Sequence, residues 1–210
     1  LESTPSRVRY GSSPTALTSV VDSLTLMDEH KVTLSGLQPN TKYYYCVGDL
    51  TDTLSGADTS HYFFTAPAKG VEIPTSIWVT GDAGYGIKDQ RLMRDAYEKY
   101  IGKTHTNIWL TLGDNAYSDG TDEDYQLGMF ENMFENMLGK TVCWATPGNH
   151  DIRRHRSAPF GAPYYNVFST PQKGESGGEP SGSPSYYSFD FGNIHVVSLE
   201  SNHTPRYDTA

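Results

Sequence analysis

Residues 77–84 read Ile77-Trp78-Val79-Thr80-Gly81-Asp82-Ala83-Gly84, an apolar run followed by an aspartate between glycines. Such a run predicts a short buried strand, and the glycines allow the backbone to turn sharply behind it. The pattern recurs: residues 107–112 precede Gly113-Asp114-Asn115-Ala116-Tyr117, and residues 142–146 precede Gly148-Asn149-His150-Asp151. A helical pattern separates the first strand from the second. Strands that alternate with helices predict a parallel sheet.

Two helices are predicted between these strands. Residues 88–101 place one apolar set on a common helical face: Leu92, Met93, Ala96, Tyr97, Tyr100 and Ile101. Thr121 is a good N-cap followed by acidic residues in the first turn, so a second helix is expected from there to about Leu138. Residues 151–184 form a long loop rich in glycine, proline and serine, and a hairpin about Gly192-Asn193 is expected behind it.

The spacing of the three motifs places them on one edge of the parallel sheet. Asp114 follows Asp82 by 32 residues, and Asn149 follows Asp114 by 35 residues. One strand–helix unit takes roughly 30 residues. Ligands bind at the carboxyl ends of the strands in such sheets, so we expect the motifs to meet there.

The motifs supply the oxygen donors that hard cations prefer. They provide the carboxylates of Asp82 and Asp114, the phenol of Tyr117 and the carboxamide of Asn149, with the imidazole of His150 beside them. A single Gly-Asp after a strand is usually only a turn or a helix cap. Three such motifs in order predict a dinuclear metal site, and a metal pair in such a shell typically hydrolyses phosphate esters.

These motifs resemble those of the metallophosphoesterase superfamily and, within it, the purple acid phosphatases, whose pattern is GDxG, GDxxY, GNH(D/E), VxxH and GHxH. The chain matches the first three. Most metallophosphoesterases carry DxH in the first motif, whereas this chain has Ala83-Gly84 there and offers Tyr117 in the second. The long loop, which lacks the cysteines of the plant proteins, looks more like that of bacterial members.

The resemblance implies a role for each matching residue. Asp82 and Tyr117 would bind the first metal, Fe(III) in this family, and Asp114 would bridge both metals. Asn149 would bind the second, divalent metal (Fe, Zn or Mn). His150 would not be a ligand but would face the phosphate as a hydrogen-bond donor and protonate the leaving alkoxide as the catalytic acid. The implied activity is acid phosphatase action on phosphate monoesters.

The N-terminal region reads as all-β. Strands are expected at residues 6–11, 30–34, 44–47 and 61–65. Tyr43, just before the third of these, resembles the tyrosine corner of a fibronectin type III or immunoglobulin-like sandwich, whose hydroxyl bonds back to upstream backbone. Too few strands are visible for a whole sandwich, so its first strands are expected to lie before Leu1.

The expected domains are a partial fibronectin III-like β-sandwich at 1–67, a linker at 68–74 and the N-terminal half of a metallophosphoesterase catalytic domain at 75–210. The fold class is therefore α/β, the αββα metallophosphoesterase sandwich with only its first half present, preceded by the partial all-β sandwich.

The histidine motifs VxxH and GHxH are absent. His195 lies in the alternating pattern of a predicted strand, which favours a structural role. His203 lies in a polar loop. His155 belongs to a basic run that is either a phosphate-facing edge or a solvated turn. The family needs three histidines from the second half of its domain. We therefore expect this chain to be a fragment cut at both ends, with little or no activity by itself.

The composition and net charge of the chain limit the kinds of function that it can have. The chain has 210 residues, 36% of them hydrophobic and 12% aromatic, which indicates a folded protein. Its net charge of −9 argues against a nucleic-acid binder, which would show a basic stripe. No apolar run is long enough for a membrane span. Cys46 and Cys143 lie in separate strand-like runs and are expected to be buried free thiols.

Three other functions stay open. The same metal pair could serve a phosphodiesterase or a phytase. Alternatively, the fibronectin-like domain could be a binding module attached to an inert phosphatase-like half, although the intact metal motifs argue against this reading. By analogy with the family, the protein is expected to be secreted, periplasmic or on the cell surface.

Overall fold

A computed structural model of the protein describes residues 3–155 and 159–202. Its first third is all-β, as predicted. The strands are β1 (Thr4–Gly11), β2 (Ser19–Met27), β3 (Lys42–Gly48), β4 (Thr53–Gly56) and β5 (Tyr62–Phe64). They form one antiparallel sheet in the order β2-β1-β3-β4, and β5 pairs with the beginning of β3.

The predicted tyrosine corner has the expected hydrogen bond. The Tyr43 hydroxyl accepts the backbone N–H of Gln38 at 3.0 Å. The strand predicted at residues 30–34 is wrong, because that segment forms no strand, whereas β2 runs at Ser19–Met27. β1 has β2 on one edge and β3 on the other, so neither edge of β1 is left for that segment.

The second part of the chain contains the predicted parallel sheet. β6 (Ile77–Thr80), β7 (Ile108–Thr111) and β8 (Cys143–Ala145) lie in the order β6-β7-β8, and both pairings are parallel. The hairpin expected about Gly192-Asn193 is present as β9 (Tyr187–Phe191) and β10 (Ile194–Ser198).

Helix α1 (Lys88–Ile101) has the predicted bounds, but its buried face differs from the predicted one. Met93 and Tyr97 pack against the core, whereas Leu92 is 53% exposed and Tyr100 is 85% exposed. The buried Gln90 takes a place on the inner face because its side-chain amide donates to the carbonyl of Gly128 at 2.5 Å.

The second predicted helix begins after Thr121, as expected, and its hydrogen-bond pattern then changes from that of an α-helix to that of a wider π-helix. Thr121 caps α2 (Asp122–Tyr125) in a capping box with Asp124, which satisfies backbone donors at the helix start. Residues Gln126–Phe134 follow a π-helical hydrogen-bond pattern before α3 (Glu135–Leu138). The long loop contains α4 (Tyr164–Val167) and two single turns of 3-10 helix, Arg153–His155 and Pro159–Gly161.

Aromatic side chains cover both faces of the parallel sheet. Trp109 is buried and stacks on Trp78 on the face that packs against the helices after Thr121. On the other face, Trp144 stacks on Phe189 of the hairpin with ring centroids 3.8 Å apart. The sheet is thus held from both sides, and its loop ends can be positioned accurately.

The two parts of the chain contact each other directly. The Tyr45 hydroxyl donates to the carbonyl of Gly139 at 2.9 Å, and the His105 ring packs on Phe64 with centroids 4.6 Å apart. The connecting segment follows the hairpin, where Lys69 forms an ion pair of 2.8 Å with Asp190.

The described residues also show the state of the two cysteines and the character of the helices with respect to a membrane. Both cysteines are free thiols, as predicted, but only Cys46 is fully buried and Cys143 is partly exposed. Among residues 3–155 and 159–202, no helix has the length and apolarity that a membrane crossing requires.

Candidate metal centre

Asp82 and Asp114 occupy equivalent places behind adjacent strands. Each lies two or three residues past its strand, and each has a φ of +54°. This left-handed backbone is uncommon for residues other than glycine, although aspartate tolerates it better than most. The Asp82 N–H donates to the carbonyl of Gly113 at 3.2 Å, which holds the two loops side by side.

Tyr117 joins the two aspartates through its hydroxyl group. The phenolic oxygen lies 2.7 Å from Asp82 Oδ1 and 2.9 Å from Asp114 Oδ2. Desolvation, followed by the hydrogen bonds to both carboxylates, raises the pKa of Tyr117 far above its ordinary value. Three oxygen ligands predicted from two separate motifs thus meet at one point.

The third motif approaches Asp114 through its backbone. The N–H of His150 donates to Asp114 Oδ1 at 2.8 Å. Gly148 is required here because a Cβ at this position would lie 2.1 Å from Asp114 Oδ1 and 2.2 Å from the Asp114 nitrogen. Asn149 is exposed and lines the same cleft as Asp82 and Asp114.

His150 is oriented by two contacts. Its Nδ1 lies 2.5 Å from the carbonyl oxygen of Ser118, and because a carbonyl only accepts, Nδ1 carries the proton. Its ring also packs on the Tyr117 ring, with centroids 4.4 Å apart. Nε2 is therefore the nitrogen left to face a ligand.

Asp151 is a supporting residue that the sequence reasoning missed. Its buried carboxylate accepts hydrogen bonds from the backbone N–H groups of Asn115 and Gly148, at 3.0 and 2.6 Å, and from the Tyr125 hydroxyl at 2.6 Å. Burial raises its pKa to about 6, and these hydrogen bonds oppose that rise. The sequence did contain one signal for this role, because Asp151 is the acidic last residue of the third motif.

A cleft of about 480 Å³ opens beside these residues, between the loops and the end of β10. Its other lining residues include Leu112, Thr146, Ser198 and Asn202. Asn202 is held there because its side-chain amide donates to the carbonyl of Pro147 at 3.1 Å. The cleft gives the carboxylate edge of the sheet room for a small polar ligand.

The two histidine candidates that the structure describes do not join this site. His195 is exposed and pairs with Asp190 at 2.6 Å on the hairpin, which agrees with a structural role. The His155 N–H closes a local turn by donating to the carbonyl of Ile152 at 2.9 Å. His203 lies outside the described residues. Within the described ranges, no cluster of three or more His, Cys, Asp or Glu side chains is placed to hold a metal ion.

Two tyrosines beside the long loop serve packing. Tyr164 and Tyr187 are buried, and both hydroxyls donate to the carbonyl of Ala145, at 2.8 and 2.9 Å. They anchor the loop and the hairpin to the last residue of β8.

Comparison with known proteins agrees with the motifs. A family model described as the purple acid phosphatase N-terminal domain matches residues 1–66. Purple acid phosphatase 15 of Arabidopsis thaliana is 30% identical over 187 residues, which cover 81% of this chain and 34% of that protein. Purple acid phosphatase of Glycine max is 26% identical over 190 residues, covering 85% of this chain and 38% of that protein.

A mammalian protein matches as well. Acid phosphatase type 7 of Mus musculus is 29% identical over 172 residues, covering 81% of this chain and 34% of that protein. The chain thus spans about a third of the length of the curated relatives it matches. The resemblance predicted from the three motifs is confirmed, and the chain is a relative of the purple acid phosphatases.

Proposed function

We propose that this chain forms part of an acid phosphatase that hydrolyses phosphate monoesters at a dinuclear metal centre. The observation that carries the proposal is the Tyr117 hydroxyl, which lies within 2.9 Å of both the Asp82 and Asp114 carboxylates. The names of the relatives support the same reading.

The donor set fits the proposed ions. In the structure, the Tyr117 hydroxyl lies within hydrogen-bond distance of both carboxylates, so three oxygen atoms meet at one point. Carboxylate, phenolate and carboxamide oxygens suit a hard trivalent ion beside a divalent one. We assign Asp82 and Tyr117 to the first ion, Fe(III), Asp114 to both ions and Asn149 to the second.

Bound at these residues, the metal pair would polarise the phosphoryl oxygens and lower the pKa of water. The chain's own contribution is to fix the geometry. Asp114 is held from two sides, by the Tyr117 hydroxyl at one oxygen and the His150 N–H at the other. The contact with His150 needs no phenolic proton, so it would still orient the Asp114 carboxylate when Tyr117 binds an ion as the phenolate.

His150 is proposed as the group that contacts the phosphate. The bond from Nδ1 to Ser118 fixes the ring, so in the imidazolium form Nε2 carries the second proton and would donate it to a phosphoryl oxygen or to the leaving alkoxide. Asn149, exposed in the same cleft, would also contact the substrate.

The domain division at 1–67, 68–74 and 75–210, the fibronectin-like nature of the first part and the metallophosphoesterase fold of the last are parts of this proposal. The all-β N-terminal sheet and the parallel sheet behind it support them. Export from the cytoplasm is proposed by analogy.

The test uses the native protein that contains this chain, at its full length. We expect it to hydrolyse p-nitrophenyl phosphate and to lose that activity when its metals are removed. D114N should lower the activity by at least about 100-fold. D95N, at an exposed aspartate of α1, is the matched control and should keep wild-type activity.

The alternatives give different results in the same assay. A preference for bis(p-nitrophenyl) phosphate would indicate a phosphodiesterase, and a preference for phytate over simple monoesters would indicate a phytase. A metal-loaded protein with no esterase activity would contradict the proposal and favour the binding module with an inert phosphatase-like half.

A further inference from the structure

Tyr85 is an exposed aromatic residue beside the candidate metal centre. It follows the first motif directly, and 54% of its surface is exposed. Its ring lies face to face with the Tyr117 ring, with centroids 3.8 Å apart and an interplanar angle of 15°. The residue that joins the two aspartates therefore carries a second aromatic ring stacked on it.

The backbone on both sides of Tyr85 is fixed. On one side, the Gly84 carbonyl accepts the N–H of Tyr117 at 2.9 Å, and a Cβ on Gly84 would lie 2.1 Å from the carbonyl oxygen of Asn115. On the other, Gly86 has a φ of +68°, and its N–H donates to the buried side chain of Gln90 at 2.6 Å. These contacts on both sides hold Tyr85 in its exposed position.

A stacked pair uses one face of each ring, so the contact with Tyr117 leaves the other face of Tyr85 open. An exposed aromatic face makes only weak contacts with water. Beside a site that binds a phosphoryl group, it can instead stack on a planar group of the bound ligand. Building on the function proposed above, we propose that Tyr85 determines specificity by favouring phosphate monoesters whose alcohol carries an aromatic ring.

The test measures binding rather than turnover. Phenylphosphonate and methylphosphonate carry the same anionic group but differ in the ring, and titration calorimetry on the metal-loaded full-length protein gives both affinities. We expect the wild type to bind phenylphosphonate about 2- to 10-fold more tightly than methylphosphonate.

Three variants isolate the ring. Y85L should abolish the preference for phenylphosphonate and leave the affinity for methylphosphonate unchanged. Y85F, which keeps the ring, should keep the preference. Y100L, at a tyrosine of α1 that is 85% exposed, is the matched control and should behave as the wild type.

The outcomes separate this inference from the proposed function. Binding of both phosphonates without a preference, or an equal loss of both affinities in Y85L, would overturn the inference and leave Tyr85 as a packing partner of Tyr117. Binding of neither phosphonate by the wild type would refute the phosphatase assignment and the inference with it.

Discussion

Asp151 accepts the backbone N–H of Asn115 with both of its carboxylate oxygens, at 3.0 and 3.2 Å. Since Asn115 directly follows Asp114, this contact ties the second motif to the third. The same carboxylate accepts the N–H of Gly148 at 2.6 Å, so it also sets the turn that carries Asn149 and His150. One buried side chain therefore spaces the loops that hold the proposed ligands.

Replacing this carboxylate should destabilise the protein. Asp151→Asn keeps the shape but turns one acceptor oxygen into a donor facing other donors, so we expect a loss of about 2–3 kcal/mol in the free energy of unfolding. Urea denaturation followed by tryptophan fluorescence measures it. Y125F, which removes only one donor at 2.6 Å, should cost less. Equal stability of D151N and the wild type would contradict the role given to Asp151.

Gly148→Ala should disturb Asp114 through a steric clash. The added Cβ would lie 2.2 Å from the Asp114 nitrogen, and a backbone atom cannot rotate away as a carboxylate can. We expect a loss of about 1–3 kcal/mol in unfolding free energy. G161A is the matched control, because a Cβ there would meet His155 Nδ1 at an ordinary 3.6 Å. A G148A protein as stable as G161A would rule out the close approach.

His105 should make folding sensitive to acid. Desolvation, with smaller contributions from Lys42 and Lys140, lowers the pKa of His105 to about 4, against 6.5 in a free side chain. Because the unfolded chain then binds the proton more tightly, this residue leaves stability unchanged above about pH 7. Stability falls as the pH drops from about 6.5 towards 4.

The size of that effect is modest because the ring is only half-buried. We expect about 1 kcal/mol less stability at pH 5 than at pH 7, after allowance for solvent screening. Urea denaturation at the two pH values measures it, and H105N should reduce the difference by that amount. A difference that H105N leaves unaltered would show that His105 is protonated equally in both states.

Tyr117→Phe should remove the colour that a phenolate ligand gives to Fe(III). In the full-length protein loaded with iron, we expect a visible absorption band that Y117F abolishes, together with a loss of activity of at least about 10-fold. Chelation of the iron should bleach the wild type in the same way. Y97F is a suitable control, since Tyr97 lies on α1 and bonds Thr106 at 2.8 Å. A coloured Y117F protein would exclude Tyr117 as the iron ligand.

Much of the fold was predictable because local signals and tertiary packing agree. The bounds of α1 and the capping box at Thr121 follow from residues close in sequence. The error at residues 30–34 has a non-local cause: β1 pairs with β2 on one edge and with β3 on the other, which the local alternation of residues does not reveal. The exposure of Leu92 likewise depends on which side of α1 meets the core. That side carries Gln90, whose side chain donates to the carbonyl of Gly128 in the second helical segment.

The candidate site was predictable in its residue types and in the meeting of its motifs, because parallel strands bring their carboxyl ends to one edge. The convergence of Asp82, Asp114 and Tyr117 is observed, whereas their role as metal ligands stays a prediction. The stacking of Tyr85 and the hydrogen bonds of Asp151 could not be predicted. They depend on loop conformations that distant backbone contacts decide.

The glycine contacts of the loops have a consequence for how such a protein can diverge. Gly84 touches the backbone of Asn115, and Gly148 touches that of Asp114, so the spacing of the ligand loops is set by main chain against main chain. Mutations that exchange outward-facing side chains on these loops, as at Tyr85, leave that spacing intact. Descendants of one ancestor can thus acquire different substrate preferences while inheriting the same arrangement of ion-binding oxygens.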